Sequence, residues 1–304
     1  MGEKHGVGPG MGGTSRRRFL QVAGGVVSTV AAGEAFGSAE KKGSASARAD
    51  SYEVQARGIR IFPGEWRPHY EWEQIAWFSP SWPSQDYVWL DFPEAIFTSQ
   101  GLLFLSHVNP PYPTVFENLP RVAWQTVENG VSFERVLPNG IKFGGSVLKA
   151  SETVVGLELH IENGSAAPLK DITLQTCAYL RAIAEFGAYT SENKFVHTAK
   201  EGWIELSRAM KLEDCGAAYR AGWRTSGRKV VDVPVAVALS SAGERLLAYT
   251  WDKDTLSLVG NAKHPCVHAD PFFPNLKPGE RATIRGKIGF FEGRLEDFDY
   301  AGFC

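Results

Sequence analysis

The 304-residue chain has few cysteines, no long apolar run and no excess of charge of either sign. Each shortage excludes something. Its four cysteines, Cys177, Cys215, Cys266 and Cys304, lack Cys-x-x-Cys spacing, which argues against a zinc ribbon or a thioredoxin-like motif. Any disulfide pairing among them is open, free buried thiols included. Thirty-two Lys+Arg against 34 Asp+Glu give a formal charge of −2, too balanced for a broad basic face, so no nucleic-acid partner is expected. The chain contains no G-x-S-x-G elbow, no G-x-x-x-x-G-K-[ST] loop and no H-E-x-x-H pattern, and serine-hydrolase, NTPase and zincin chemistry therefore have no motif. Strong helix-forming runs are also scarce. What is abundant is aromatic and turn-forming: 18 Phe, 9 Tyr and 9 Trp beside 32 Gly and 17 Pro. That mixture predicts an all-β chain of many short strands joined by turns, with few short helices.

The first 39 residues stand apart. Ser15-Arg16-Arg17-Arg18-Phe19-Leu20 followed by the small-apolar run from Val22 to Ala32 is similar to a twin-arginine (Tat) export signal. Gly24, Gly25, Ser28 and Thr29 interrupt the run and Glu34 ends it, so it is too short and mild to span a membrane. The expected organisation is a signal peptide at 1–39, a flexible Lys/Ser/Ala linker at 40–50 and one β-sandwich domain at 51–304. A periplasmic or secreted protein with no stable membrane span follows. Removing 1–39 takes away four cations and two anions and leaves a formal charge of −4.

Within the domain, the pairs Asn129-Gly130, Asn139-Gly140 and Asn163-Gly164 flank β-branched or alternating runs, a strong hairpin signal because both residues tolerate positive φ. Strands are expected at 131–137, 154–161, 172–176, 233–240, 246–251 and 282–291, and short helices near 207–215 and 294–299. In the second run Val155, Leu157, Leu159 and Ile161 share one face and Glu158, His160 and Glu162 the other. The reading is an antiparallel two-sheet sandwich.

Two segments carry a family resemblance. The first runs from Val155 through Glu162-Asn163-Gly164-Ser165 to Pro168-Leu169; the second is Phe273-Pro274-Asn275-Leu276-Lys277-Pro278-Gly279-Glu280. Together they resemble the galactose mutarotase-like family, whose fold is a large super-sandwich shared by carbohydrate-active proteins. The resemblance implies a poly- or oligosaccharide ligand. It also implies a catalytic glutamate ahead of the Pro-Gly-Glu turn, yet Leu256-Ser257-Leu258-Val259-Gly260-Asn261 holds no carboxylate. Sugar epimerisation needs a base for the anomeric hydroxyl, so lyase- or hydrolase-type acid/base chemistry fits better than epimerisation if the chain is an enzyme.

The densest set of polar ligating groups is His264-Pro265-Cys266-Val267-His268-Ala269-Asp270. If extended, it places His264, Cys266, His268 and Asp270 on one side, and the flanking prolines predict a loop or edge segment. His264, His268 and Asp270 are the candidate acid/base residues. No metal site is assigned, because no second pair at ligand spacing supports one, and no cofactor is identifiable. Residues 66–92 hold Trp66, Trp72, Trp77, Trp82 and Trp89. Sugars stack C–H faces on such rings, and Trp72, Trp77 and Trp82, amid prolines and serines, are the expected exposed set, with Glu71, Glu73, Asp86, Asp91 and Glu94 the carboxylates able to hold hydroxyls. His107, Arg181, Glu185 and His197 follow predicted strands and complete the candidate ligand-binding residues. The competing function is a non-catalytic periplasmic interaction protein whose histidines serve the fold.

Overall fold

The computed structural model describes residues 57–65, 73–106, 113–213, 216–222 and 228–304. All lie in the unit Ala45–Cys304. The alternating runs form strands, in chain order β1 (Ile61–Gly64), β2 (Ile75–Phe78), β3 (Val88–Thr98), β4 (Gly101–Leu105), β5 (Gln125–Val127), β6 (Gly130–Val136), β7 (Lys142–Lys149), β8 (Val154–Glu162) and β9 (Thr173–Tyr179). They continue as β10 (Lys194–Thr198), β11 (Gly202–Glu205), β12 (Tyr219–Ala221), β13 (Arg228–Val231), β14 (Ala236–Leu239), β15 (Arg245–Thr250), β16 (Thr255–Asn261), β17 (His264–Pro271) and β18 (Arg281–Glu292). One sheet has the order β1-β2-β3-β9-β17-β16-β12-β13, with β4 also on β3; the other has the order β11-β10-β14-β15-β18-β8-β7-β6-β5. Every named pair is antiparallel except β12 with β16. This is the all-β, two-sheet sandwich expected of the sequence.

The inner faces close a core in which Phe78 meets Phe290 with ring centroids 6.1 Å apart, Phe92 stacks on Trp251 at 6.0 Å and Phe104 meets Phe143 at 5.0 Å. Burying each such side chain contributes about 1.5–3 kcal/mol, so these contacts drive the sheets together. A second apolar cluster lies on the other side of β14 and β15, where Val237, Leu246 and Ala248 pack against Leu295, Phe298 and Phe303. The helices are shorter than predicted. Of 207–215, the described residues to 213 give a single turn, α1 (Leu206–Ala209), packed on the main core, and 294–299 gives only a 3₁₀ turn at Leu295–Asp297 before α2 (Tyr300–Phe303).

Three further departures have physical causes. Asn129-Gly130 and Asn139-Gly140 turn β5 into β6 and β6 into β7, with Asn129 at φ 63° and Gly140 at φ 87°, but Asn163-Gly164 is not a hairpin. It leaves β8 for β9 in the other sheet, and Asn163 ties that crossover down. Its Nδ2 donates to the carbonyls of Ala167 and Leu276 at 2.8 and 3.0 Å, while its Oδ1 accepts from Ser165. Segment 264–270, expected as loop or edge, is interior strand between β9 and β16. Pro265 is tolerated because β16 pairing skips from Val267 to His264, so no ladder bond needs its missing N–H, while its carbonyl accepts from Leu180 at 2.8 Å. Arg135, in register with Val131 and Phe133, is a buried inward-facing cation, its Nη1 donating to the Pro120 carbonyl at 2.6 Å.

Candidate functional site

Strands β2, β3, β9 and β17 lie side by side, and alternation divides their residues cleanly. Ala76, Leu90, Ala178 and Val267 belong to the core, so their neighbours Trp77, Trp89, Cys177, Tyr179, Cys266 and His268 point to the opposite face. Register then builds a row of rings. Trp77 pairs with Trp89, and Trp89 with Tyr179. Ring centroids are 5.9 Å apart for Trp77–Trp89, 6.0 Å for Trp89–Tyr179 and 4.4 Å for Tyr179–His264, the last pair stacked. All four are partly exposed. At the same end, exposed Arg181 lies over the exposed Tyr189 ring at 5.7 Å. Burial and the neighbouring Tyr189 hydroxyl push the Tyr179 phenol up to about 12, so it remains a protonated hydrogen-bonding group.

Beneath the row sits a polar cluster. Cys266 Sγ is 3.4 Å from His268 Nε2, while His268 Nδ1 lies 3.4 Å from Asp270 Oδ1 and 3.8 Å from Glu94 Oε2. Cys177 stands opposite His268 in register. Asp270 is held from three sides, since it also accepts from the Thr176 amide at 3.2 Å and from Ser257 Oγ at 3.4 Å. Nearby, Ser106 Oγ donates to Asp91 Oδ2 at 2.6 Å. His268 is 3% exposed and Asp270 0%. The cysteines act as a pair: the Cys177 thiol, donating to Cys266 and buried, is held well above the ordinary thiol range. Cys266, accepting that bond and facing His268, is held well below it. Burial opposes charge on His268, but Cys266 and Asp270 outweigh it and hold its pKa well above the usual imidazole range.

The fold thus gathers His264, His268, Asp270, Trp77 and Arg181 on one end of one sheet face. Trp82 is elsewhere: 1% exposed, stacked on Phe186 at 6.0 Å and edge-on to Phe290 at 5.4 Å, it is core and not an exposed ring. Glu185 sits with it, pairing at 3.3 Å with Arg245, which in turn covers Trp82 at 5.1 Å. His197 belongs to the other sheet, where its Nδ1 meets Asp232 at 2.8 Å and its ring meets Tyr300 at 4.7 Å. Trp72 and His107 fall outside the described residues, as does Cys215. Cys177, Cys266 and Cys304 are free thiols. The places of Trp89, Tyr179 and Cys177 in the site were missed by sequence reasoning. Period-2 alternation puts Cys177, Tyr179 and Arg181 on one side, but nothing in the sequence says which strand lies beside them.

No protein-family profile matches the chain, and no curated protein does. Among solved structures the chain is similar to an aldose epimerase homologue from C. elegans at 10% identity, with a TM-score of 0.39, over 74% of this chain and 94% of that one. It is also similar to a galactose 1-epimerase from Lactobacillus acidophilus at 9% identity, with a TM-score of 0.31, over 78% and 99% of the two chains. Among the described residues no helix is long and apolar enough to cross a membrane.

Proposed function

We propose that this chain is an exported carbohydrate-binding protein whose ligand, a poly- or oligosaccharide, lies along the ring row Trp77–Trp89–Tyr179–His264. One observation carries the reading: four partly exposed rings on four adjacent strands, at successive centroid distances of 5.9, 6.0 and 4.4 Å, ending beside Arg181 and Tyr189. Stacking needs such flat apolar faces, and hydroxyl recognition needs the polar groups that close the row. The Tat-like segment at 15–32 supports export by the twin-arginine route to the periplasm or beyond.

Binding is favoured over turnover by the different depths of the three acid/base candidates. Asp270 and His268 are buried, and Asp270 spends its oxygens on Thr176, Ser257 and His268. Of the three, His264 alone lies partly open beside the rings. A lyase- or hydrolase-type step here would have His264 as the group positioned to meet a glycosidic oxygen.

The test is a glycan array followed by calorimetry on the purified chain. A glycan that binds the wild type and loses affinity in Trp89→Ala supports the reading; unchanged binding in Trp77→Ala and Trp89→Ala, or no glycan bound at all, overturns it. Cell fractionation of the chain and of an Arg16→Lys/Arg17→Lys variant tests export.

A further inference from the structure

The polar cluster under the ring row holds more ligating chemistry than sugar recognition requires. Cys177 Sγ, Cys266 Sγ and a His264 ring nitrogen lie within 4.8 Å of one another, and Cys177 Sγ likewise lies within 4.8 Å of a His268 nitrogen and a Glu94 oxygen. Cys266 Sγ is 3.4 Å from His268 Nε2. A tetrahedral zinc site with Zn–S near 2.3 Å and Zn–N near 2.0 Å has ligand-to-ligand edges of about 3.3–3.8 Å, so the Cys266–His268 contact already stands at coordination spacing, and the two sets of three donors, joined through Cys177, would draw in to meet on one ion. We propose that Cys177, Cys266, His264 and His268 bind one thiophilic divalent cation, zinc being the natural occupant, in a tetrahedral two-sulfur, two-nitrogen site spanning β9 and β17.

Three further observations support it. His268 turns its other nitrogen toward Asp270 and Glu94 at 3.4 and 3.8 Å, the carboxylate–histidine arrangement that orients a metal-bound imidazole. Two sulfurs with two imidazoles select zinc over magnesium or calcium, which take oxygen donors. The cysteines are also badly placed for a disulfide. Cys177 pairs with His268 and Cys266 with Tyr179, so the cysteines are diagonal neighbours. Diagonal positions lie about 7 Å apart, against the Cβ separation of about 3.8 Å that a disulfide needs. A metal ion bridges that gap without moving either strand.

The experiment requires no sugar and stands apart from the glycan reading. The full chain is purified without chelator, its zinc content is measured, and the zinc is exchanged for Co²⁺. Bound Co²⁺ should show the near-ultraviolet thiolate charge-transfer band and the visible bands of a tetrahedral site. A folded Cys177→Ser/Cys266→Ser variant should lose both. Asp270→Asn, which leaves every ligand in place, should keep the spectrum while weakening Co²⁺ binding about tenfold to a hundredfold. X-ray absorption on the zinc-loaded wild type requires no variant to fold, and should show two sulfur and two nitrogen neighbours. A folded wild type that binds no Zn²⁺ or Co²⁺, a zinc shell of oxygen and nitrogen only, an unchanged cobalt spectrum in the double variant, or a Cys177–Cys266 disulfide in the freshly isolated chain would each overturn the proposal.

Discussion

Cys177 on β9 stands directly opposite His268 on β17, a register that sets a thiol beside an imidazole across a central strand pair. Residues facing each other in this way lie about 5 Å apart at Cβ, close enough to share a ligand. Zinc that binds the folded chain alone should therefore raise its thermal stability. At free Zn²⁺ about 100 times Kd the gain is about 2.7 kcal/mol. Differential scanning calorimetry should show this upward shift in Tm for the wild type and none for Cys177→Ser/Cys266→Ser.

The ring row and the core tryptophan should respond differently to alanine. Trp77→Ala and Trp89→Ala remove stacking worth about 0.5–1.5 kcal/mol each and should weaken glycan binding severalfold with little loss of fold. Trp82→Ala empties a site between Phe186 and Phe290 and should cost about 3–5 kcal/mol of stability. Parallel urea melts and binding isotherms separate the two. Equal stability loss in Trp89→Ala and Trp82→Ala would contradict the placement of Trp89 on the outer face.

Asn163→Ala should be among the more damaging polar substitutions. It leaves the Ala167 and Leu276 carbonyls without their side-chain donor and Ser165 without its acceptor. About 2 kcal/mol is expected from the buried bonds alone, read as a lower urea midpoint. Asn163→Asp keeps the acceptor but not the donor and should recover only part of it.

His160 supplies a pH dependence of known sign. Burial lowers its pKa, and Arg281 adds to this, while Glu134 and Glu158 pull upward and lose. The unfolded chain therefore binds a proton more readily than the folded one. The stability this group contributes is complete above about pH 6.5 and is lost as pH falls from there through the lowered folded value. The wild type minus His160→Gln difference in unfolding free energy, followed between about pH 7.5 and pH 5, should shrink with acid; a constant difference would contradict the assignment.

Much of the architecture is legible locally because alternation and turn chemistry are local. Val155, Leu157, Leu159 and Ile161 pack inward as their pattern requires, and two Asn-Gly pairs make the expected hairpins. The third Asn-Gly pair failed as a hairpin signal because its partner is the Leu276 carbonyl, 113 residues away. That bond joins the two segments that carried the family resemblance, and Leu169 and Leu276 exchange backbone bonds at 2.8 and 2.9 Å beside it. Period 2 correctly put His264, Cys266, His268 and Asp270 on one face, yet their prolines suggested an edge. A bulge that accommodates Pro265 cannot be read from the strand itself. Arg135 shows the same limit: its burial depends on the Pro120 carbonyl and on the Phe104 ring, 5.2 Å from its guanidinium. The site needed strand order, which composition and spacing do not encode.

The ring row runs across the sheet, not along one strand. Its pitch is therefore set by interstrand hydrogen bonding, and its members come from positions 77, 89, 179 and 264. Loops between these strands can lengthen, shorten or change composition without altering the distance from one ring to the next. What closes over the row can vary freely while its ruler stays fixed, so chains with quite different loops can share one spacing of recognition along a repeating ligand.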